Sequence, residues 1–361
     1  MRVVTLFGTR PEIIRLSEII RHLDSFCDQI LVHTGQNYDE NLSDVFFREL
    51  GLRSPEIHLG IRATEFAEQA ALIIRGVGDV LERVRPDRLL VLGDTNSGLS
   101  AVVAARRGIP VYHLEAGNRC YDGRVPEEIN RRIIDHCSTV LMAYTHRSKE
   151  NLLREGIPRE RIFVVGNPIL EVIERHQVAV DASTILARLG LEPKAYFAAT
   201  LHRAENVDSS VRLQRLLDGI ARAGEKFGRP VILAVHPHTA ARLRQQAADT
   251  SSLRLIEPLG FFDFLALERS AECVISDSGT VQEECTIFRI PNVTIRDVTE
   301  RAETIECGSN ILTGDDPGSI SCAVELALAL PAEWVPPPEY LERRVSMTVT
   351  KIVLGYQRAM L

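Results

Sequence analysis

Short apolar runs rich in β-branched residues recur along the chain, each followed by a longer stretch in which apolar residues return at helical spacing. In the first half the runs are VVTLF (3–7), QILVHTG (29–35), RLLVLGD (88–94), YHLEAG (112–117), TVLMAYT (139–145) and RIFVVGN (161–167). In the second half they are YFAATLH (196–202), VILAVHP (231–237), LRLIEPL (253–259), CVISDSG (273–279) and NVTIRD (292–297). Strands alternating with amphipathic helices, such as FAEQAALIIRGVGDVLERV at 66–84, predict parallel sheets covered by helices. The fold class is α/β.

The alternation pauses over 168–193, PILEVIERHQVAVDASTILARLGLEP, a helical stretch with no strand. A run of prolines in PAEWVPPPEY (331–340) precedes a last amphipathic helix. These breaks predict a first domain over 1–168 and a second over 169–340, with 341–361 crossing back onto the first. A chain of 361 residues also exceeds what one ordinary core supports.

Composition narrows the function classes. Hydrophobic residues make up 45% and charged ones 25%, with a net charge of −7. An acidic chain does not offer the basic face that nucleic acid or an anionic membrane would want. The apolar run at the N-terminus is too short for a signal sequence, and none approaches a membrane span. Seven scattered cysteines without a C-x-x-C pair fit a reduced, cytoplasmic location and no zinc site.

In open parallel sheets ligands bind at the carboxyl ends of the strands, and the turns there are unusually polar. GTRPE (8–12) sets Gly8 in the turn, Arg10 at its mouth and Pro11 at the first helical position, a pattern suited to phosphate. SDSGTVQEE (276–284) offers Ser278, Gly279 and Thr280 to an anion, with Glu284 placed to take a ribose diol. His202 and Arg203 end one strand of the second half and His236 ends the next. Asp94, Glu115, Glu127 and Glu128 gather at turns of the first half. Carboxylates converging on one place raise one another's pKa, which suits proton transfer. No G-x-G-x-x-G occurs, so no nicotinamide or flavin cofactor is indicated.

The stretches FGTRPE (7–12), GDTNS (93–97), HLEAGNR (113–119), PEEINRR (126–132), HRAEN (202–206), SDSGTVQEE (276–284) and RDVTER (296–301) together resemble the non-hydrolysing UDP-N-acetylglucosamine 2-epimerases. They stand in family order over nearly the whole chain. The resemblance implies a GT-B architecture, two Rossmann-like domains with the active site in the cleft between them, and a homodimer. It implies elimination of UDP from the sugar with loss of the proton at carbon 2, then re-addition with protonation from the opposite face, without metal or redox cofactor. By position, Arg10, His202, Ser278 and Gly279 would hold the diphosphate, Phe264 would lie near the uracil and Glu284 at the ribose. Asp94, Glu115 and Glu127 would be the acid/base groups, with His202 acting beside them. Arg301 would help to hold the sugar and phosphate, and Arg15, His236 and Thr280 complete the substrate contacts.

Two departures qualify the match. Arg15 stands where the best-known members carry Lys, keeping the charge but not its geometry. GQNYDENL (35–42) replaces the Gln-His-Arg-Glu segment that members activated by their own substrate use, so allosteric activation is not expected. EAGNRC, VPEEINR and Arg15 also resemble the subgroup forming UDP-N-acetyl-L-fucosamine from its talose epimer. The rival readings are a GT-B glycosyltransferase and a non-catalytic UDP-sugar-binding protein.

Overall fold

The structure is a computed structural model that describes residues 1–36, 40–63 and 65–356, and the side chains of 40–44 also lie outside it. The replaced segment GQNYDENL therefore falls largely outside the described residues. Two compact units make up the chain, one of Met1–Arg175 with Pro338–Leu361 and one of His176–Pro337. The helix Ile169–Arg175 packs on the helix Arg10–Phe26, which carries the first unit to Arg175 rather than to 168.

The first unit holds a seven-stranded parallel sheet of β1 (Arg2–Phe7), β2 (Asp28–His33), β3 (Ile57–His58), β4 (Arg88–Leu92), β5 (Val111–Leu114), β6 (Val140–Ala143) and β7 (Ile162–Val164). Their spatial order is β3-β2-β1-β4-β5-β6-β7. Each of the five residues of β4 is buried, which is why the central strands read as continuous apolar runs and not as alternating ones. The chain adds strands to one side of β1 and then to the other, so its β1–β4 edge is the switch point where open sheets bind ligands.

Helix starts in this unit follow local chemistry. Thr9 caps the helix Arg10–Phe26 in a capping box with Glu12, and proline fills the first turn, where its missing N–H costs nothing. The Glu12 carboxylate accepts from the Gly8 and Thr9 N–H groups at 3.0 and 2.8 Å, and burial raises its pKa to about 7 against those hydrogen bonds. Gly8 is required here, because a Cβ would sit 2.2 Å from the Thr34 hydroxyl and 2.4 Å from that of Ser97. At the far end of the chain the helix Val345–Gly355 packs on Arg10–Phe26. The buried Arg88 guanidinium donates to the Val353 carbonyl, and the Tyr112 hydroxyl to that of Tyr356 at 2.6 Å.

The second unit repeats the plan with six parallel strands, β8 (Phe197–Leu201), β9 (Val231–Val235), β10 (Arg254–Ile256), β11 (Cys273–Ser276), β12 (Asn292–Thr294) and β13 (Asn310–Leu312). Their order is β10-β9-β8-β11-β12-β13. Its core joins Phe197, Leu213, Leu217, Ile220, Leu233 and Ile275 from the sheet and the helix Ser210–Phe227. The switch point falls between β8 and β11, so the turns after these strands are this unit's ligand edge.

Candidate active site

In the first unit the turns after β1, β4 and β5 carry the predicted groups. Gly93 closes β4 with φ +69° and leads into Asp94, while Glu115 follows β5 at φ +70°. That left-handed conformation is unfavourable for a side chain with a Cβ, and it persists only where surroundings enforce it. Glu115 is buried and paired: Arg15 Nη1 lies 2.7 Å from Oε2, and Asn118 donates to Oε1 at 3.1 Å. The Arg15 guanidinium in turn lies over the Tyr144 ring, 5.7 Å from its centre.

Asp94 is bound by Arg131 of the helix Pro126–Cys137 at 2.5 Å. The same guanidinium reaches Glu128 at 2.7 Å, and Glu128 also accepts from Arg132 at 2.9 Å and from the Cys120 N–H at 3.0 Å. The Asp94 carboxyl is nonetheless held above the usual range. Burial is the largest cause, Arg131 works against it, and the charges of Glu127 and Glu115 add to it. Asp94 and Glu115 thus stand at the ends of the paired strands β4 and β5, and the charge of Glu127 acts on Asp94 together with that of Glu115. Glu128 is instead occupied by its ion pairs and its pKa is lowered. Arg10 is the first residue of the helix that follows β1, with its guanidinium over Phe46.

In the second unit four neighbouring strand ends supply the predicted groups. His202 follows β8, and its ring lies 6.5 Å from that of His236, which follows β9. Asp277, after β11, fixes His202: it meets ring Nδ1 at 2.9 Å and accepts from the His202 and Arg203 N–H groups at 2.9 and 2.8 Å. Burial alone would raise the Asp277 carboxyl, but the His202 charge and these bonds outweigh it and hold it well below the usual range. Ser278 stands at the N-cap position of the helix Gly279–Phe288 without a capping hydrogen bond from its side chain, and its hydroxyl lies 3.0 Å from that of Thr280.

A basic cluster abuts this helix N-terminus. Glu300 is met by Arg296 at 3.0 Å, Arg301 at 3.1 Å and Arg203 at 3.5 Å, while Arg301 also pairs with Glu283 at 2.8 Å. Three guanidiniums interleaved with two carboxylates thus stand beside a helix N-terminus, which is the character of an anion site. Gly279 permits the approach, since a Cβ there would stand 2.8 Å from Glu300 Oε1. Glu284 is buried next to Glu268, whose carboxyl is pushed well up by burial and by the Glu284 charge. Phe264 lies, half-buried, in the first turn of the helix Phe261–Ser270. A hollow of about 470 Å³ opens at the start of this helix, lined among others by Ile256, Pro258, Gly260 and Asp263 but not by Phe264.

The sequence reading missed the partners that set these groups. Asp277, Arg131, Arg296 and Glu300 all lie inside the quoted motifs, and an acid or base buried next to a candidate group was the available signal. Among the described residues no group of three or more His, Cys, Asp or Glu side chains is arranged to hold a metal ion. Among them also, no helix is long and apolar enough to cross a membrane.

Comparison with known proteins sets this geometry in a family. The family model described as UDP-N-acetylglucosamine 2-epimerase matches residues 21–353. The UDP-N-acetylglucosamine 2-epimerase of Methanocaldococcus jannaschii is 41% identical over 347 residues, 93% of this chain and 95% of that protein. The crystal structure of the M. jannaschii enzyme in complex with UDP-GlcNAc and UDP superposes with a TM-score of 0.94 at 40% identity, covering 98% of this chain and 99% of that one. A Pseudomonas aeruginosa UDP-2,3-diacetamido-2,3-dideoxy-D-glucuronate 2-epimerase is 34% identical over 320 residues, 87% of this chain and 88% of that protein. With both sheets doubly wound in the GT-B manner and the match running almost end to end, the chain belongs to the UDP-N-acetylglucosamine 2-epimerase family of isomerases.

Proposed function

We propose that the protein interconverts UDP-GlcNAc and UDP-ManNAc by anti elimination and re-addition of UDP. The observation that carries this reading is the placing of Asp94 and Glu115 at the ends of the paired strands β4 and β5, with the Asp94 carboxyl held up by burial and by the charges of Glu127 and Glu115. A carboxylate of this set removes the proton from carbon 2 as the bond from carbon 1 to the diphosphate oxygen breaks. The electron pair leaves on UDP, and carbons 1 and 2 become doubly bonded in 2-acetamidoglucal. Return of UDP to carbon 1, with a proton delivered to the opposite face of carbon 2, yields the epimer with no net oxidation.

A carbon acid next to an acetamide is a poor acid, so a base with an elevated pKa and a stabilised leaving group are both needed. Asp94 supplies the first property. His202, Ser278, Gly279, Arg301 and the Arg203–Arg296 cluster supply the second by binding the diphosphate, with Arg10 and Arg15 contributing charge from the first unit. Glu284 takes the ribose hydroxyls, Phe264 the uracil, and His236 and Thr280 the flanks of the phosphate.

Proton NMR of the enzyme with UDP-GlcNAc in deuterated water tests the reading. A second UDP-N-acetylhexosamine carrying deuterium at carbon 2 is the expected product, with the same rate in EDTA. Epimer that retains protium at carbon 2 would contradict the mechanism. An inert UDP-GlcNAc, with turnover of UDP-2-acetamido-2,6-dideoxy-L-talose or of the diacetamido-glucuronate sugar, would reassign the substrate and leave the chemistry standing.

A further inference from the structure

One buried network in the first unit touches both turns that carry the candidate acid/base groups, and the mechanism above does not use it. His113, on β5, points its Nε2 at the Gly93 carbonyl at 2.8 Å, and its Nδ1 at Asp135 Oδ1, also at 2.8 Å. A carbonyl only accepts, so Nε2 carries a hydrogen, and the carboxylate requires a second hydrogen on the Nδ1···Oδ1 line. The ring therefore clamps the turn that presents Asp94 to the helix Pro126–Cys137.

The other oxygen of Asp135 holds the loop that presents Glu115. It accepts from the Gly117 N–H at 3.2 Å and pairs with Arg119 Nη1 at 2.8 Å. Arg119 donates onward to the Asn118 carbonyl at 2.7 Å and forks onto Glu155 at 2.8 and 2.6 Å. Asn118 is itself the residue that donates to Glu115. The path is sealed from His113 to Arg119, with His113 and Asp135 fully buried and Arg119 5% exposed. Burial alone would raise the Asp135 carboxyl, and the charges of His113 and Arg119 reverse that, holding it below its ordinary range. Room for the loop is tight as well: a Cβ on Gly117, at φ +85°, would stand 2.3 Å from the Ser148 carbonyl oxygen.

We propose that Asp135 and His113, with Arg119, are positioning residues that fix Glu115 in its left-handed backbone conformation and hold it in register with Asp94. Neither reaches the substrate; each acts through the main chain of the two turns. This rests on the reading of Asp94 and Glu115 as acid/base groups.

Two substitutions of His113 separate its arms. His113→Asn places an amide where Nδ1 stands and keeps the Asp135 contact, while His113→Gln places one where Nε2 stands and keeps the Gly93 contact. Asp135→Asn keeps the shape of the hub and removes its charge. Misplacement of a reacting group on the ångström scale costs on the order of a hundredfold. Each variant is therefore expected to lower kcat roughly tenfold to a hundredfold while KM and the Kd for UDP, whose candidate ligands lie largely in the other unit, stay within about threefold. Turnover, UDP titration calorimetry and thermal unfolding are measured on the same preparations.

Folded His113 variants with the wild-type kcat would overturn the proposal. So would parallel loss of kcat and UDP binding, the mark of a protein that merely unfolds. If Glu115→Gln turns over like the wild type, the acid/base reading itself fails; if Glu115→Gln is impaired and the His113 variants are not, only the positioning role does.

Discussion

Asp94→Asn and Glu115→Gln are each expected to lower turnover by roughly a hundredfold or more, the usual scale for loss of a general acid or base, with UDP affinity nearly unchanged. Both substitutions keep side-chain shape and remove only the ionisable group. They differ in what they leave behind. In Asp94→Asn the Arg131 guanidinium still has Glu128 of its own helix at 2.7 Å, and Asn130 still donates to the backbone carbonyl of residue 94 at 3.0 Å, so the turn stays tied to the helix. Glu115→Gln leaves the buried Arg15 facing an amide instead of a carboxylate at 2.7 Å, and breaking a buried pair costs about 3–5 kcal/mol of stability. The Glu115 variant therefore unfolds at a lower temperature as well as turning over slowly. A pH signature accompanies this. A base works only when ionised, so activity falls as pH drops through its pKa. The raised pKa of Asp94 places that acid limb above the range of an ordinary aspartate. Steady-state kcat/KM against pH checks it: Asp94→Asn loses the limb together with the rate.

The second large effect is expected at the anion site, where Asp277→Ala and His202→Ala weaken UDP binding. His202→Ala removes one charge-assisted contact, worth about 1.5–3 kcal/mol, or roughly ten- to a hundredfold in Kd. Asp277→Ala does more without touching the ligand. It strips the His202 ring and two backbone N–H groups of their acceptor, and the Asn206 amide of one at 3.1 Å, so the turn that presents His202 loses its anchor. Calorimetric titration with UDP is the check. An Asp277→Ala protein that folds and binds UDP as tightly as the wild type would show that the turn holds itself.

The sequence carried most of this architecture because buried parallel strands need apolar side chains on both faces, and such runs stand out. It did not carry β3 and β13. Ile57–His58 and Asn310–Leu312 are edge strands of two and three residues, too short for any periodicity, and only pairing with β2 and β12 makes them strands. In the site, the acids and histidines were legible because polar residues at the ends of apolar runs are conspicuous. Asp135 was not. In IIDHC near the end of a helix it reads as an ordinary solvated acid, and only the fold turns it under the 115–119 loop. Asp277 was hidden differently, since an Asp-Ser pair before a helix reads as an ordinary cap, and Ser278 does occupy the N-cap position here. What sequence spacing lacks in both cases is the partner from another strand end.

The account turns on cleavage of the bond between carbon 1 and the diphosphate. UDP-GlcNAc with a heavy oxygen isotope in that bridging position, followed by phosphorus NMR, tests it directly. Elimination frees the β-phosphate to rotate, so the label is expected to scramble into the non-bridging positions in both epimers while epimerisation proceeds. Epimer formed with the label still wholly bridging would contradict the account of a freed UDP that returns to carbon 1.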